Sequence, residues 1–414
     1  MKRRAYTTGL FLTLFCVALV VAMTARGQRN ESPTPSVADY TVSGPYTHKN
    51  LTIFLLHGAG QSQSRAPLTL REAMKRKLVI VRETGDVNRL TIQNRSTQDV
   101  FVQAGDIVKG GQQDRVLALD LIVPPKSGRI PIDAFCVEQG RWSRRGNEAV
   151  AAFSASDNAL ASKDLKIAAK ARKSQGDVWA NVSKTQEKLA MNMTVTPSAP
   201  PAPARSGRSP GSGSVGGLGM GRAPQASFPQ PINQARIPIN QAGGEIITSD
   251  GAAAGGRHSY DPLALVADRA SPSSLQLTLE NKLVKDTSND YVKNLSSIII
   301  GKRDVVGFVF AINGQINSAD VYSSNALFAK LWPKMLEASA IEAIAELKTE
   351  EKSRPVDVSA IKAFLRESQT GKAEAKSVTA RTSLVKSETE KNLFFETRDR
   401  SRNGKWVHRN YITK

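Results

Sequence analysis

The residues with the most chemically capable side chains lie between Val100 and Trp142. Carboxylates, amides, guanidinium groups and an indole are concentrated there. A carboxylate and a guanidinium beside an aromatic ring suit the recognition of a planar or anionic group, and they equally suit an ion pair packed on a ring. The candidate binding cluster comprises Asp106, Gln112, Asp114, Arg115, Glu138, Arg141 and Trp142.

Two roles are open for this cluster. It could be the site of a hydrolase-like enzyme that uses Asp106, Asp114 and Arg115 with Glu138 and Arg141, because paired carboxylates can supply an acid and a base. Alternatively, the same side chains form ion pairs that hold the fold together. The spacing matches no catalytic signature, so no catalytic residue is assigned. Convergence of the five side chains in one pocket would favour the enzyme, and dispersal would oppose it.

Cysteine and histidine bear on nucleophilic and metal chemistry. Cys136 alternates with Ile132 and Ala134, which predicts a buried and unreactive thiol. The histidines are isolated from one another and no H-E-x-x-H motif occurs, so neither a metal site nor a cofactor is predicted. His57-Gly58 follows a strand, as the oxyanion loop of α/β-hydrolases does, but the chain has no G-x-S-x-G nucleophile elbow and a simple turn is expected.

The pattern of apolar residues predicts short strands around the cluster. Residues 51–56 form an apolar strand, and Thr69 with Glu72 makes a capping box that starts a short helix. Residues 116–123 are predicted as one strand, with Asp120 on one of its faces, and residues 130–137 as the next. Short strands at close spacing favour an antiparallel sheet over a βαβ unit.

Later elements complete this β-rich half. Residues 305–321 alternate around Asn313-Gly314, a pair typical of two-residue hairpin turns. Residues 325–347 keep a helical period, and Pro333 should kink or split that helix. The predicted fold class is α+β, an antiparallel β-rich first half completed by a C-terminal hairpin and a long kinked helix, with a disordered internal linker. Further predictions are a strand at 297–300, a helix at 354–366 with Pro355 in its first turn, and a closing strand at 406–411.

Composition divides the chain along its length. A basic N-terminus precedes an apolar run at 10–23, which is typical of a signal peptide and short for a membrane span. Residues 194–260 are rich in Pro, Gly, Ser and Ala and cannot bury enough apolar surface to fold. The predicted organisation is a signal peptide or uncleaved anchor at 1–27, a flexible tether at 28–46, the first half of the domain at 47–193, a linker at 194–260, the second half at 270–349, and a basic C-terminal extension with a helix and closing strands at 350–414.

Charge indicates the class of partner. The formal net charge is +20, which favours anionic partners. No basic run is interleaved with aromatic residues, so no specific nucleic acid is expected. An anion-binding tail is predicted, although a charged edge strand in solvent explains the same residues. This tail comprises Arg398, Arg400, Arg402, Lys405 and Arg409.

Several motifs resemble one known family. Residues 105–116 (GDIVKGGQQDRV), 135–142 (FCVEQGRW) and 327–334 (LFAKLWPK) are similar to the ARG and rhodanese-phosphatase-superfamily-associated protein domain. The resemblance covers residues from about Asn50 to Ala345, with 194–259 as an insertion. It implies that the two halves form one folded unit, and it supplies no mechanism or catalytic residues.

The sequence thus predicts an exported protein, periplasmic or extracellular. In the alternative of an uncleaved N-terminal segment, that segment would tether the protein to the membrane. We expect a non-catalytic binding or scaffold module, because no recognisable catalytic signature is present. The alternatives are the hydrolase-like enzyme above and a basic module that adheres to anionic surfaces. The expected partner is an anionic surface or another exported protein.

Overall fold

The computed structural model describes residues 40–58, 66–195, 262–348 and 355–414. Within these ranges the chain forms seventeen strands and seven α-helices. The strands are β1 (Thr41–His48), β2 (Leu51–His57), β3 (Leu68–Thr69), β4 (Val79–Glu83), β5 (Arg89–Asn94), β6 (Val100–Val102), β7 (Asp106–Gly110), β8 (Arg115–Leu117), β9 (Leu121–Val123), β10 (Ile130–Cys136), β11 (Phe153–Leu160), β12 (Val305–Ile312), β13 (Gln315–Tyr322), β14 (Lys372–Ser377), β15 (Thr382–Glu388), β16 (Asn392–Asp399) and β17 (Lys405–Thr413). The helices are α1 (Leu70–Lys75), α2 (Lys163–Lys166), α3 (Gln175–Val195), α4 (Leu275–Glu280), α5 (Lys282–Leu295), α6 (Asn325–Ala345) and α7 (Val358–Glu367).

Shorter helical turns join these elements. A π-helix, Ile167–Arg172, continues α2. Three 3₁₀ turns lie at Pro262–Leu265, Ser296–Ile299 and Arg400–Arg402. The predicted signal peptide and nearly all of the predicted linker lie outside the described residues.

An eight-stranded antiparallel sheet contains the first and the last strands of the described chain. Its strand order is β1-β2-β12-β13-β17-β16-β15-β14. The hairpin of β12 and β13 turns at Asn313-Gly314, where φ is 50° and 71°, as a two-residue turn requires. β12 pairs with β2 on its other side, so strands from before and after residues 196–261 belong to one sheet.

Both faces of this sheet are covered. On one face, Ile53 and Phe308 pack with Trp332 of α6 in the main core. On the other face, Phe54 and Tyr411 pack with the apolar stripe of α7. Burial on both faces explains why β12 is apolar at nearly every position rather than alternating.

The first half contributes two smaller sheets. One has the order β11-β7-β8-β10-β5-β4 and is antiparallel throughout, and the other has the order β3-β6-β9 with a parallel β3–β6 pair. A separate apolar core, which includes Val81, Ile92 and Leu117, lies within this half. The α+β fold class with its predominantly antiparallel sheets is therefore confirmed.

Local signals account for several elements. The capping box at Thr69 and Glu72 is present, with both reciprocal hydrogen bonds. Ser324 caps α6, and that helix runs through Pro333 as one element without splitting. Residues 405–413 form the last strand, which confirms the predicted closing strand at 406–411.

Other predictions were wrong in position or type. Residues 116–123 are two strands, β8 and β9, because the intervening Asp120 turns to accept a hydrogen bond from the Ala104 amide. Residues 296–299 form a 3₁₀ turn and not a strand. Helix α7 starts only at Val358, with Asp357 as its cap, so Pro355 precedes the helix.

The ends of the described chain are more integrated than expected. Tyr40 is buried and β1 begins at Thr41, within the stretch predicted as a tether. Strands β14 to β17 form half of the eight-stranded sheet. The C-terminal stretch is therefore a structural part of the domain and not an appendage.

Candidate functional site

The candidate cluster begins where β7 ends at Gly110 and a second glycine, Gly111, starts the turn. Gly110 and Gly111 have φ of 111° and 58°. A Cβ on Gly111 would lie 2.5 Å from both the Glu83 carboxylate and the Phe153 ring, so the turn requires glycine here. This turn places Asp114 just before β8 and directs its side chain inward.

Asp114 and Glu138 meet in the interior and share arginine partners. Nη1 of Arg145 lies 3.0 Å from Asp114 and 3.1 Å from Glu138. Nε of Arg141 donates to Glu138 over 2.7 Å. Both carboxylates are fully buried. We call Asp114, Glu138, Arg141 and Arg145 the carboxylate–arginine network.

Groups from elsewhere complete the bonding of this network. The Ser274 hydroxyl donates to Asp114 over 2.8 Å, and Ser271 donates to Glu138. Backbone amides of Gly110 and Asp114 donate to the two carboxylates. Glu148 receives two further bonds from Arg145. With its acceptors occupied by protein donors, the network acts as a structural clamp between β7, β8, β10 and the segment before α4.

Electrostatics favour the charged forms of Glu138 and Arg145. Burial raises the pKa of the Glu138 carboxyl, but hydrogen bonds from Arg141 and Ser271 outweigh burial and leave the pKa below its ordinary value. Burial lowers the pKa of the Arg145 guanidinium. The hydrogen bond and the charge of Asp114 raise it by more, so the pKa of Arg145 lies above its ordinary value. Charges in this state stabilise each other and offer little driving force for proton transfer.

The remaining members of the candidate cluster lie apart. Asp106 pairs with Lys334 of α6, and Arg115 is buried with its guanidinium 3.6 Å from Glu83. The backbone amide of Gln112 also donates to Glu83. Trp142 is 49% exposed. The structure therefore brings together Asp114, Glu138 and Arg141 and disperses the others, which opposes the hydrolase hypothesis.

The anion-binding tail is also largely engaged within the fold. Arg409 is buried and donates to Glu396 over 2.7 Å. Arg398 bonds Glu396, and Arg402 lies 3.3 Å from Asp399. Arg400 and Lys405 are exposed. Three of the five cations thus balance buried or half-buried carboxylates, which weakens the hypothesis of adhesion through this stretch.

Sequence reasoning missed a second polar cluster at the junction of the sheets. Nδ1 of His408 lies 3.0 Å from Asp120, and Nε2 lies 3.0 Å from Asp320. Lys170 of the π-helix lies 3.6 Å from Asp120, and Lys166 lies 3.8 Å from Asp320. We call these five residues the histidine network.

His408 lies at the centre of the histidine network, between its two carboxylates. With Asp120 and Asp320 both ionised, both ring nitrogens carry a proton, because an ionised carboxylate only accepts hydrogen bonds. Burial lowers the pKa of His408, but Asp120 and Asp320 raise it above its usual value. The ring of Tyr322 stacks on the imidazole, with 4.5 Å between centroids. Among the described residues, no group of three or more His, Cys, Asp and Glu side chains is placed to hold a metal ion.

Cys136 is buried, as its alternation predicted. The Gln175 side chain bonds both its backbone amide and its carbonyl, at 2.9 and 2.8 Å. Burial raises the pKa of the thiol to about 11.

We expect maleimide to modify Cys136 at least roughly a hundredfold more slowly in the native protein than in urea, because so little thiolate exists at neutral pH. Peptide mapping of the modified site measures both rates. A native rate within tenfold of the urea rate would contradict a structural thiol.

A groove provides the accessible site. It consists of three hollows that all share Asp164 and Lys184 as lining residues. The two larger hollows have volumes of about 560 and 400 Å³. The smallest has an apolar wall that includes Leu275, Leu279 and Ile341. We call it the basic groove because seven basic residues line it, namely Lys163, Arg172, Lys184, Lys188, Lys348, Lys386 and Lys414.

Four acidic side chains line the same groove, and two of them pair with lysines of the groove. Glu388 lies 2.7 Å from Lys386 and 2.8 Å from Lys414, whose hydrogen bonds lower its pKa to about 2. Glu346 pairs with Lys188. Burial raises the pKa of Glu342, which accepts a hydrogen bond from Asn317 over 2.9 Å. The fourth, Asp164, lies in the first turn of α2. The basic groove therefore has a positive excess.

Fold and site together define a mixed α+β domain with a buried polar interior and a basic groove. The chain belongs to the ARG and Rhodanese-Phosphatase-superfamily-associated Protein domain family, whose sequence profile matches residues 39–412. This match extends the resemblance beyond Ala345 to the C-terminal strands. Neither a curated protein nor a solved structure matches the chain. Across the four described ranges, no helix has the length and apolar character needed to span a membrane.

Proposed function

We propose that the protein is an exported binding module whose ligand-binding site is the basic groove. The observation that supports this proposal is the groove itself, in which seven cationic side chains and four acidic ones line continuous hollows. The apolar run at residues 10–23 supports export.

The groove favours an acidic peptide segment of another exported protein as its ligand. Lys163, Lys184 and Lys188 line the hollows, and the smallest hollow has an apolar wall. An extended peptide with carboxylates and an apolar side chain complements both features. No catalytic pair is needed for this function.

Binding is tested with a fluorescein-labelled peptide of alternating glutamate and leucine, followed by fluorescence anisotropy. We expect Lys184→Glu to weaken binding roughly tenfold, because the residue lines all three hollows and reversal of its charge replaces attraction by repulsion. Raising the salt concentration should also weaken binding, since screening acts on exposed charges.

The matched control is Lys293→Glu. Lys293 is an exposed lysine in the last turn of α5, outside the groove. It carries the same charge reversal, so an equal loss of affinity in both variants would show attraction by net charge alone and would refute the proposal. Tighter binding to phosphatidylglycerol vesicles than to the peptide would refute the peptide ligand.

A further inference from the structure

Three side chains at one end of the eight-stranded sheet form a hydrogen-bonded series that the binding function does not use. The Ser43 hydroxyl lies 2.7 Å from Nε2 of His57. Across the same ring, Nδ1 lies 3.0 Å from Oδ2 of Asp304. A hydroxyl, an imidazole and a carboxylate bonded in this order activate a serine nucleophile.

The sheet places each member on or beside a different strand. In the β1–β2 pair, Thr41 lies opposite His57 and Ser43 opposite Leu55, so the period of two puts Ser43 and His57 on one face. Asp304 directly precedes β12, and its carbonyl accepts a bond from the Gly58 amide over 3.0 Å. Regular strand pairing therefore positions the series.

The bonding pattern assigns a role to each imidazole nitrogen. With its proton on Nδ1, His57 donates to Asp304 and presents Nε2 to accept the Ser43 proton. Tyr46 brings a second hydroxyl to 3.5 Å from Ser43 Oγ, and Lys302 Nζ lies 3.3 Å from that hydroxyl. The hydrogen bond with Ser43 lowers the pKa of Tyr46 by more than burial raises it, and the Lys302 charge lowers it further. The lowered pKa makes the Tyr46 hydroxyl a better hydrogen-bond donor.

Exposure limits the chemistry that this arrangement can perform. Ser43 is half-buried and can be reached from solvent. The Asp304 side chain is 65% exposed, so water weakens its orientation of His57. Substrates with good leaving groups suit such a site better than amides do.

We propose that Ser43, His57 and Asp304 form an acyl-transfer site that hydrolyses activated carboxylic esters. Ser43 Oγ attacks the carbonyl carbon as its proton passes to Nε2 of His57. The bond to the leaving alcohol then breaks, and His57 returns the proton to the leaving oxygen. Water attacks the acyl-serine by the same route, which releases the carboxylic acid and restores Ser43. Tyr46 and Lys302 donate to the carbonyl oxygen as negative charge develops.

Two readouts on the full chain test the site, namely hydrolysis of p-nitrophenyl acetate and labelling by a fluorophosphonate probe with peptide mapping. We expect the label on Ser43 and its loss in Ser43→Ala. His57→Gln should slow labelling by at least about a hundredfold, the usual contribution of a general base. Asp304→Asn should slow labelling about tenfold, because the exposed carboxylate orients the ring only partly.

Thr47→Ala is the matched control, since Thr47 is an exposed hydroxyl residue of the same strand. It should label at the parent rate. A label distributed over surface hydroxyls, or a Ser43 label unchanged by His57→Gln, would overturn the proposal. Thermal unfolding of each variant separates loss of chemistry from loss of fold, and an inactive His57→Gln variant with parental stability supports the assigned role.

Discussion

Replacement of Arg145 by Met is expected to lower the free energy of unfolding by about 3–5 kcal/mol, the cost of leaving a buried charge without its partner. Arg145 contacts Asp114 and Glu138, both fully buried, as well as Glu148. Arg141 remains in the variant at 2.7 Å from Glu138 but at 3.8 Å from Asp114. Asp114 therefore keeps hydrogen bonds from Ser274 and Gly110 but loses its closest cation.

Urea denaturation of the full chain measures this effect. Arg144→Met is the matched control, because the neighbouring Arg144 is exposed and its loss should change stability by no more than about 0.5 kcal/mol. Equal stability of the two variants would show that the carboxylate–arginine network does not hold the β-rich half together. A pronounced loss in Arg145→Met alone supports the clamp.

The features that the sequence predicted correctly depend on neighbours along the chain. Cys136 was placed in the core by a period of two within β10, and it is buried. The Asn313-Gly314 turn and the Thr69 cap are encoded by adjacent residues and are present as expected. In each case the determining interactions span only a few residues, so their spacing is visible in the sequence.

The candidate site was predicted only in part, because its decisive contacts are distant in sequence. Asp114 and Glu138 were identified, but Ser274 lies 160 residues beyond Asp114 and across the predicted linker. Asp120 is 288 residues from His408, and no periodicity connects them. The contact between Asp120 and His408 accounts for two errors: Asp120 interrupts a predicted strand to reach its partners, and His408 is not isolated in the fold.

The histidine network implies a second pronounced destabilisation, this time dependent on pH. We expect His408→Phe to lose about 3–5 kcal/mol near pH 6, because Asp120 and Asp320 would lose the cation that lies between them. Phe can keep the stacking with Tyr322, which isolates the loss of charge and hydrogen bonds. His48→Phe is the control, since His48 pairs with the partly exposed Asp290 and should cost no more than about 1 kcal/mol.

The sign of the pH dependence follows from the raised pKa of His408. A group whose pKa is higher in the folded state stabilises the fold. For His408 this contribution is fully present below the pKa of histidine in the unfolded chain, about 6.5. It is lost as the pH rises through the pKa that His408 has in the folded chain. The difference in unfolding free energy between the parent and His408→Phe should therefore shrink as pH is raised from 6 towards 9.

The other ionisable groups of the histidine network affect stability in other pH ranges or with the opposite sign. The lowered pKa of Asp120 and of Asp320 gives stability that is lost only on acidification, below the window of the experiment. Burial lowers the pKa of Lys170, so its contribution to stability grows with pH and opposes that of His408. Because Lys170 is present in both proteins, the comparison between parent and variant largely removes its effect.

Chemical denaturation at a series of pH values from 6 to 9 tests whether the histidine network holds a proton that the unfolded chain releases. A difference that narrows with pH supports an imidazolium held between two carboxylates. A difference that stays constant over this range would contradict a raised pKa of His408, because it would mean that the network binds no more protons in the folded chain than in the unfolded chain. Asp120 and Asp320 would then face an uncharged ring, and the loss on His408→Phe should fall towards the 1–3 kcal/mol typical of an unsatisfied buried polar group.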